Sequence, residues 1–159
     1  MTRLDLGIPF NRKGFSLLET ILVVCILGAI AAIAMPRYVN SLNFYRANLA
    51  AKRIAADLGL ARDRAWMTGA RQAVIFTPAT HEYRLPGVRS LERSTAEYVV
   101  ILSEAPYYAE IVSADLQGAS SVTFDGYGLP DRSGQVVIQA GSFQKTIVLD
   151  RDTGNAKVQ

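Results

Sequence analysis

Cysteine and histidine are nearly absent from this chain of 159 residues. The one cysteine, Cys25, excludes an intramolecular disulfide framework and a Cys-rich zinc site. The one histidine, His81, argues against a His-based metal centre and against a Ser-His-Asp triad. Charge is also scarce, at 19% against 50% hydrophobic residues, which excludes extended disorder. A phosphate-cradling loop, a metal-ligand array and a nucleophile constellation are all missing. No catalytic residue, metal ligand or cofactor site is assigned. The net charge of +3 looks basic, but its placement matters more than its size.

What the chain does have is one long apolar run. Residues 1–14 end in Arg12-Lys13-Gly14, and Phe15–Met35 then carries a single charge, Glu19. As a helix this run would span about 30 Å, the thickness of a bilayer's hydrocarbon core. Only a helix satisfies such a backbone in lipid. Arg12 and Lys13 before the run, with Arg37 alone just after it, place the N-terminus in the cytoplasm by the positive-inside tendency. A secretory signal peptide with cleavage near Ala29–Ala34 and a plain signal anchor both compete for this segment. Neither accounts for Glu19, because a carboxylate inside an apolar run costs energy and is functional by default.

The order Lys13-Gly14-Phe15-Ser16-Leu17-Leu18-Glu19, followed by Thr20-Ile21-Leu22-Val23-Val24, resembles the class III signal of type IV pilins and type II secretion pseudopilins. The resemblance implies that a prepilin peptidase cuts between Gly14 and Phe15 and then methylates the new amine of Phe15. Glu19, fifth after the cut, matches the family's hallmark carboxylate, and it implies a pairing with a neighbouring subunit's N-terminal amine during assembly. Pro36 matches a proline commonly found just after the apolar run, where the family's helix kinks. Loss of residues 1–14 removes Arg3, Arg12 and Lys13 with Asp5, leaving 14 basic and 13 acidic residues. The basic surplus is thus largely a property of the leader, which argues against nucleic acid as a partner.

Residues 37–68 lack proline and hold glycine only at Gly59, and they are rich in Ala, Leu and Arg, so the helix is expected to continue to about residue 68. Tyr38, Leu42, Tyr45 and Leu49, then Ile54, Leu58, Ala61 and Ala65, predict its buried face. Arg46, Lys52, Arg53, Asp57, Arg62 and Arg64 predict a solvated face. Thr68-Gly69 predicts the stop. Beyond it the period falls to two, predicting strands at 72–77, 83–85, 98–102, 121–125, 135–139, 145–150 and 155–158. Residues 86–96 and 105–118 are expected as loops or edge strands, and 86–118 carry no recognisable motif. Trp66, Phe76 and Phe124 are expected in the core. Asp125, Asp131, Asp150 and Asp152 adjoin turn signals and are expected to build turns rather than bind calcium, and His81 is expected in a solvated turn.

The stretches Ile54–Arg62, Gly69–Phe76, Val122–Leu129 and Ile147–Val158 are similar to GspH/FimT-type minor pseudopilins. That resemblance implies an α+β, pilin-like fold: a long N-terminal helix, transmembrane in its first half and kinked near Pro36, packed on an antiparallel β-sheet. The expected organisation is a leader at 1–14, a membrane and assembly helix at 15–36, and a periplasmic globular domain at 37–159. The implied function is that of a non-enzymatic minor pseudopilin of a type II secretion system, driving export of folded proteins across the outer membrane. Its partners would be the prepilin peptidase, other major and minor pseudopilins and the inner-membrane assembly platform. A minor pilin of a type IV pilus, acting in filament priming, adhesion or DNA uptake, is the alternative. A membrane-anchored periplasmic enzyme is a third reading, against which stands the lack of a visible active site.

Overall fold

The computed structural model describes residues 14–89 and 97–159. The chain divides into two compact units, Met1–Tyr38 and Val39–Gln159. One helical element, α1 (Leu17–Thr68), supplies residues to both, and Pro36 lies inside it. Residues 1–13, most of the expected leader, and residues 90–96 fall outside the described part.

In the first unit the helix is apolar on every side and exposed on every side. Phe15, Leu18 and Ile33 are at least 70% exposed, and the segment is long and apolar enough to cross a membrane.

In the second unit α1 buries Ala47, Ala50, Ala51, Ile54, Leu58, Ala61 and Ala65. These recur at threes and fours, so they form one stripe. Five of the seven are alanines, whose short side chains let the backbone lie close to the strands it covers. Gly69 then takes a φ of +64° and ends the helix as the sequence predicts.

Eight strands follow, in two antiparallel sheets of four. β1 (Gln72–Thr77), β2 (Glu82–Arg89), β3 (Glu97–Ile101) and β5 (Ser121–Phe124) form the first, in the order β3-β2-β1-β5. β4 (Glu110–Asp115), β6 (Gly134–Ala140), β7 (Phe143–Leu149) and β8 (Ala156–Val158) form the second, in the order β4-β6-β7-β8. Every strand expected from the period-two pattern is present. The single sheet of the sequence reading is, however, two. Alternation reports which face of a strand is buried, not which strand lies beside it. The chain leaves the first sheet after β5, where Leu129 donates its N–H to the Asp125 side chain and Pro130, without an N–H, cannot extend a ladder. Of the two irregular stretches, 105–118 yields the edge strand β4. Residues 86–89 extend β2 through a register shift between Leu85 and Arg89, with Pro86 and Gly87 inside it. A missing donor is tolerated there because the ladder is already broken.

The core gathers the alanine stripe, Val74, Phe76, Tyr83 and Leu85 from the first sheet, and Ile111, Ile138, Ile147 and Leu149 from the second. Phe76 meets Tyr83 with ring centroids 5.7 Å apart, and Phe44 meets Phe143 edge-on at the same distance. Two expectations fail here. Trp66 is 69% exposed, not buried: it sits one residue beyond Ala65, about 100° round the helix from the stripe. Tyr45 is likewise exposed, and Leu42 and Leu49 are only half-buried. The true stripe runs through Ala47, Ala50 and Ala51, because close approach to the sheets selects small residues over large ones at the contact.

A chain beginning at Val39 is expected to fold as a soluble monomer, and Ile54→Ala should lower its stability by about 2–5 kcal/mol in a urea titration. Leu60→Ala, on the exposed side of the same helix, should change it by no more than about 0.5 kcal/mol.

Candidate processing segment and the buried Asp57 cluster

Gly14, Phe15 and Ser16 precede the first helical residue, Leu17, so the Gly14–Phe15 bond lies in non-helical backbone. Among the described residues nothing approaches within 4 Å of where a Gly14 side chain would stand, and Phe15 is 82% exposed. A peptide bond in this state is reachable by an enzyme. The helix begins with Thr20 donating its N–H to the Ser16 carbonyl at 3.1 Å and its hydroxyl to the same oxygen at 3.3 Å. Glu19 falls in the first turn and is exposed. The first helical N–H groups give that end about half a positive charge, which a first-turn carboxylate offsets. Among the described residues none forms an ion pair with Glu19. Cys25 lies exposed along the same segment.

A second constellation, which the sequence reading misses, lies inside the globular unit. Asp57, assigned above to the solvated face, is 5% exposed. Its Oδ2 accepts from Arg53 Nε at 3.0 Å and from the Tyr83 hydroxyl, and its Oδ1 accepts from the Tyr98 hydroxyl at 2.9 Å. Arg53 also donates through Nη2 to the Tyr98 oxygen at 2.6 Å. The carboxylate thus joins α1 to β2 and β3. A buried carboxylate is tolerable because both oxygens are occupied and a guanidinium balances the charge. Burial pushes the Tyr83 hydroxyl well above the usual tyrosine range, and the adjacent Asp57 charge pushes it further. Tyr98 is raised for the same two reasons, with Arg53 opposing. The signal was present in the chain: Asp57 stands at the helical spacing from Ile54 and Ala61 that defines the buried stripe. Tyr83 and Tyr98 occupy strand positions without a local hint of what their hydroxyls meet.

Asp125 and Asp150 build turns, as the sequence suggests. Asp125 Oδ1 accepts from the N–H groups of Tyr127 and Leu129, and Asp150 Oδ1 from those of Asp152 and Thr153. Asp131 Oδ1 accepts from Thr123 N–H, while Thr123 returns its carbonyl to Asp131 N–H, both at 2.9 Å. Asp131 therefore closes the free edge of β5. Asp125 and Asp131, with Asp152, Arg71 and Arg151, line an open cleft of about 620 Å³. Among the described residues no three His, Cys, Asp or Glu side chains converge as metal ligands. His81 occupies its expected turn in the left-handed region (φ 53°), but half-buried: its Nδ1 accepts the N–H of Ile111 at 3.2 Å and ties the turn to β4.

The family model described as Type II transport protein GspH matches residues 50–153. Among solved structures, the minor pseudopilin EpsH from the type 2 secretion system of Vibrio cholerae is similar, with a TM-score of 0.53 and 12% identity. The alignment covers 72% of this chain and 96% of that one. The type IV minor pilin FimU of Pseudomonas aeruginosa gives a TM-score of 0.47 and 16% identity over 71% of this chain and 87% of its own. No curated protein sequence matches the chain.

Tyr83→Phe should cost about 1.5–3 kcal/mol, the range for a hydrogen bond to a charged group. The raised Tyr83 contributes stability that is complete below its unfolded value near pH 10 and is lost as pH rises beyond it. Between about pH 9 and about pH 11 the variant should therefore lose less stability than the native chain in urea titrations. Equal slopes would disprove the placement of that hydroxyl.

Proposed function

Because the chain belongs to the GspH family of type II transport proteins and has a pilin-like α+β fold, we propose that it is a minor pseudopilin of a type II secretion system. It is made with a leader, cut between Gly14 and Phe15 by a prepilin peptidase, and methylated on the Phe15 amine. Phe15–Met35 holds it in the inner membrane, with the leader in the cytoplasm and the globular unit in the periplasm. Other pseudopilins and the inner-membrane platform then draw it into a periplasmic pseudopilus that drives folded proteins through the outer membrane. It is a structural subunit and catalyses nothing itself.

The observation that carries this reading is the arrangement at the start of α1. Cleavage at non-helical Gly14–Phe15 creates a positive amine just ahead of a helix N-terminus, where the helix dipole repels it. Glu19 in the first turn is the nearest charge of opposite sign in the apolar run. Pairing with an amine presented by an adjacent subunit satisfies two charges that lipid would otherwise leave bare. The exposed apolar surface that follows suits both the bilayer before assembly and a bundle of helices afterwards. The description of the matching family as a type II transport protein supports the secretion reading.

The test is made in the native host. Intact-mass analysis should find a mature chain beginning at Phe15 with one added methyl group, and a bulky residue at Gly14 should block its formation. Glu19→Leu should leave insertion and cleavage intact, since it makes the segment more apolar. It should reduce co-purification with the other pseudopilins at least tenfold, because loss of one partner of a buried pair costs roughly 3–5 kcal/mol. A mature species beginning at Met1 or after Ala34 overturns the reading. Loss of surface pili with normal protein export, in a deletion strain, assigns the chain to a pilus instead.

A further inference from the structure

Where α1 ends, exposed aromatic residues stand beside a charged cleft. Trp66, the one tryptophan of the chain, is 69% exposed, and Tyr127, in the loop after β5, is 84% exposed. A Cβ on Gly128 would stand 3.6 Å from the Cβ of Trp66, so this loop lies against the helix at its tryptophan. Leu129 and Pro130, next in the loop, line the cleft of about 620 Å³ together with Arg71 and Arg151 and the three aspartates 125, 131 and 152. Its volume falls within the range of small-ligand sites, about 300–1,000 Å³. Arg132 pairs with Asp131, which brings the local charges to three of each sign. Asp125 Oδ1 and both Asp131 oxygens serve their own loops. Among the described residues Arg71, Arg151 and Asp152 form no ion pair. The fold thus leaves two guanidinium groups and one carboxylate of the lining unspent.

We propose that this cleft binds an oligosaccharide of β-linked N-acetylhexosamine units, with Trp66 and Tyr127 as stacking platforms. Chemistry selects the ligand by what each alternative would leave unmet. A simple ion needs a surplus of one sign, and the charges here balance. A wholly apolar ligand would strip water from Arg71, Arg151 and Asp152 and give nothing back. A pyranose ring supplies both needs. Its C–H face packs on an exposed aromatic ring, and its hydroxyls donate and accept, so a neighbouring pair of them satisfies a planar carboxylate or guanidinium group. An acetamido group adds an N–H donor suited to Asp152 and a methyl suited to Leu129 and Pro130. The bacterial cell-wall glycan is a polymer of this kind, and a periplasmic domain meets it. That source rests on the reading of the chain as a periplasmic subunit; the chemistry of the cleft does not.

Trp66 reports on its own site, since no second tryptophan dilutes its emission. The full processed chain, purified in a detergent without a sugar headgroup, is titrated with chitotetraose while tryptophan fluorescence and the heat of binding are followed. Expected are a saturable change in emission and a matching heat. Tyr127→Ala and Arg151→Ala should each raise the apparent Kd about tenfold, with the urea midpoint nearly unchanged because both side chains are exposed. Gln144→Ala, on β7, should leave the Kd as it is. Neither fluorescence change nor heat with chitotetraose overturns the proposal. A response to a glutamate-rich peptide and none to chitotetraose overturns it in favour of a protein ligand. Equal affinity for cellotetraose overturns the acetamido assignment and keeps the saccharide. Chitotetraose binding without co-sedimentation on purified cell-wall sacculi overturns the source alone. Cleavage at Gly14–Phe15 and co-purification with other pseudopilins are read separately, so the proposed function stands or falls independently of these outcomes.

Discussion

The globular unit depends on a carboxylate that is almost wholly buried, Asp57. Asp57 projects from a helix stripe otherwise made of aliphatic residues, and three donors from α1, β2 and β3 meet it there. An aliphatic residue at this position would let the helix slide along or rotate over the first sheet at little cost. A buried charge does not, because any shift that separates it from Arg53, Tyr83 or Tyr98 exposes the full cost of burial. The alanines on either side supply closeness, and Asp57 supplies register. Hydrophobic burial selects the face of the helix; the ionic cluster selects where along the sheet that face sits.

That division explains how one helix can serve opposed requirements. Up to Met35 its only charge is Glu19 and its apolar side chains are exposed, so this part is long and apolar enough to cross a membrane. From Val39 it has one face committed to two sheets. Its outward face keeps Tyr45, Leu60 and Met67 exposed among charged residues. A chain selected only to be soluble would place charge there.

The two sheets are joined by short polar devices rather than by a shared ladder. His81 accepts from Ile111 across the junction of β2 and β4, and Asp131 closes the edge of β5 by presenting both an acceptor and a donor to Thr123. Gly126 lies so near Gly69 that a Cβ would stand 2.7 Å from its carbonyl oxygen, and a Cβ on Gly154 would stand 2.6 Å from that of Gly128. These contacts hold the loop after β5 and the turn before β8 against the end of α1. Closed edges also prevent strands from pairing between molecules, a hazard for any subunit held at high local concentration.

Local chemistry in the chain was enough to determine the long helix, its stop at Gly69, each strand and the turn aspartates. Period, caps and charge placement act over a few residues, so they are written where they act. Three matters were decided only by tertiary structure. The strands divide between two sheets because partners distant in sequence compete, and alternation carries no partner label. The buried stripe falls on alanines, and Tyr45 and Trp66 remain outside, because the distance between helix and sheet, not hydrophobicity alone, chooses what fits. Asp57 goes inside because Arg53, Tyr83 and Tyr98 are waiting for it, and 26 and 41 residues separate it from the two tyrosines. A charge is legible as buried only when its partners are known, and those partners are brought together by the fold.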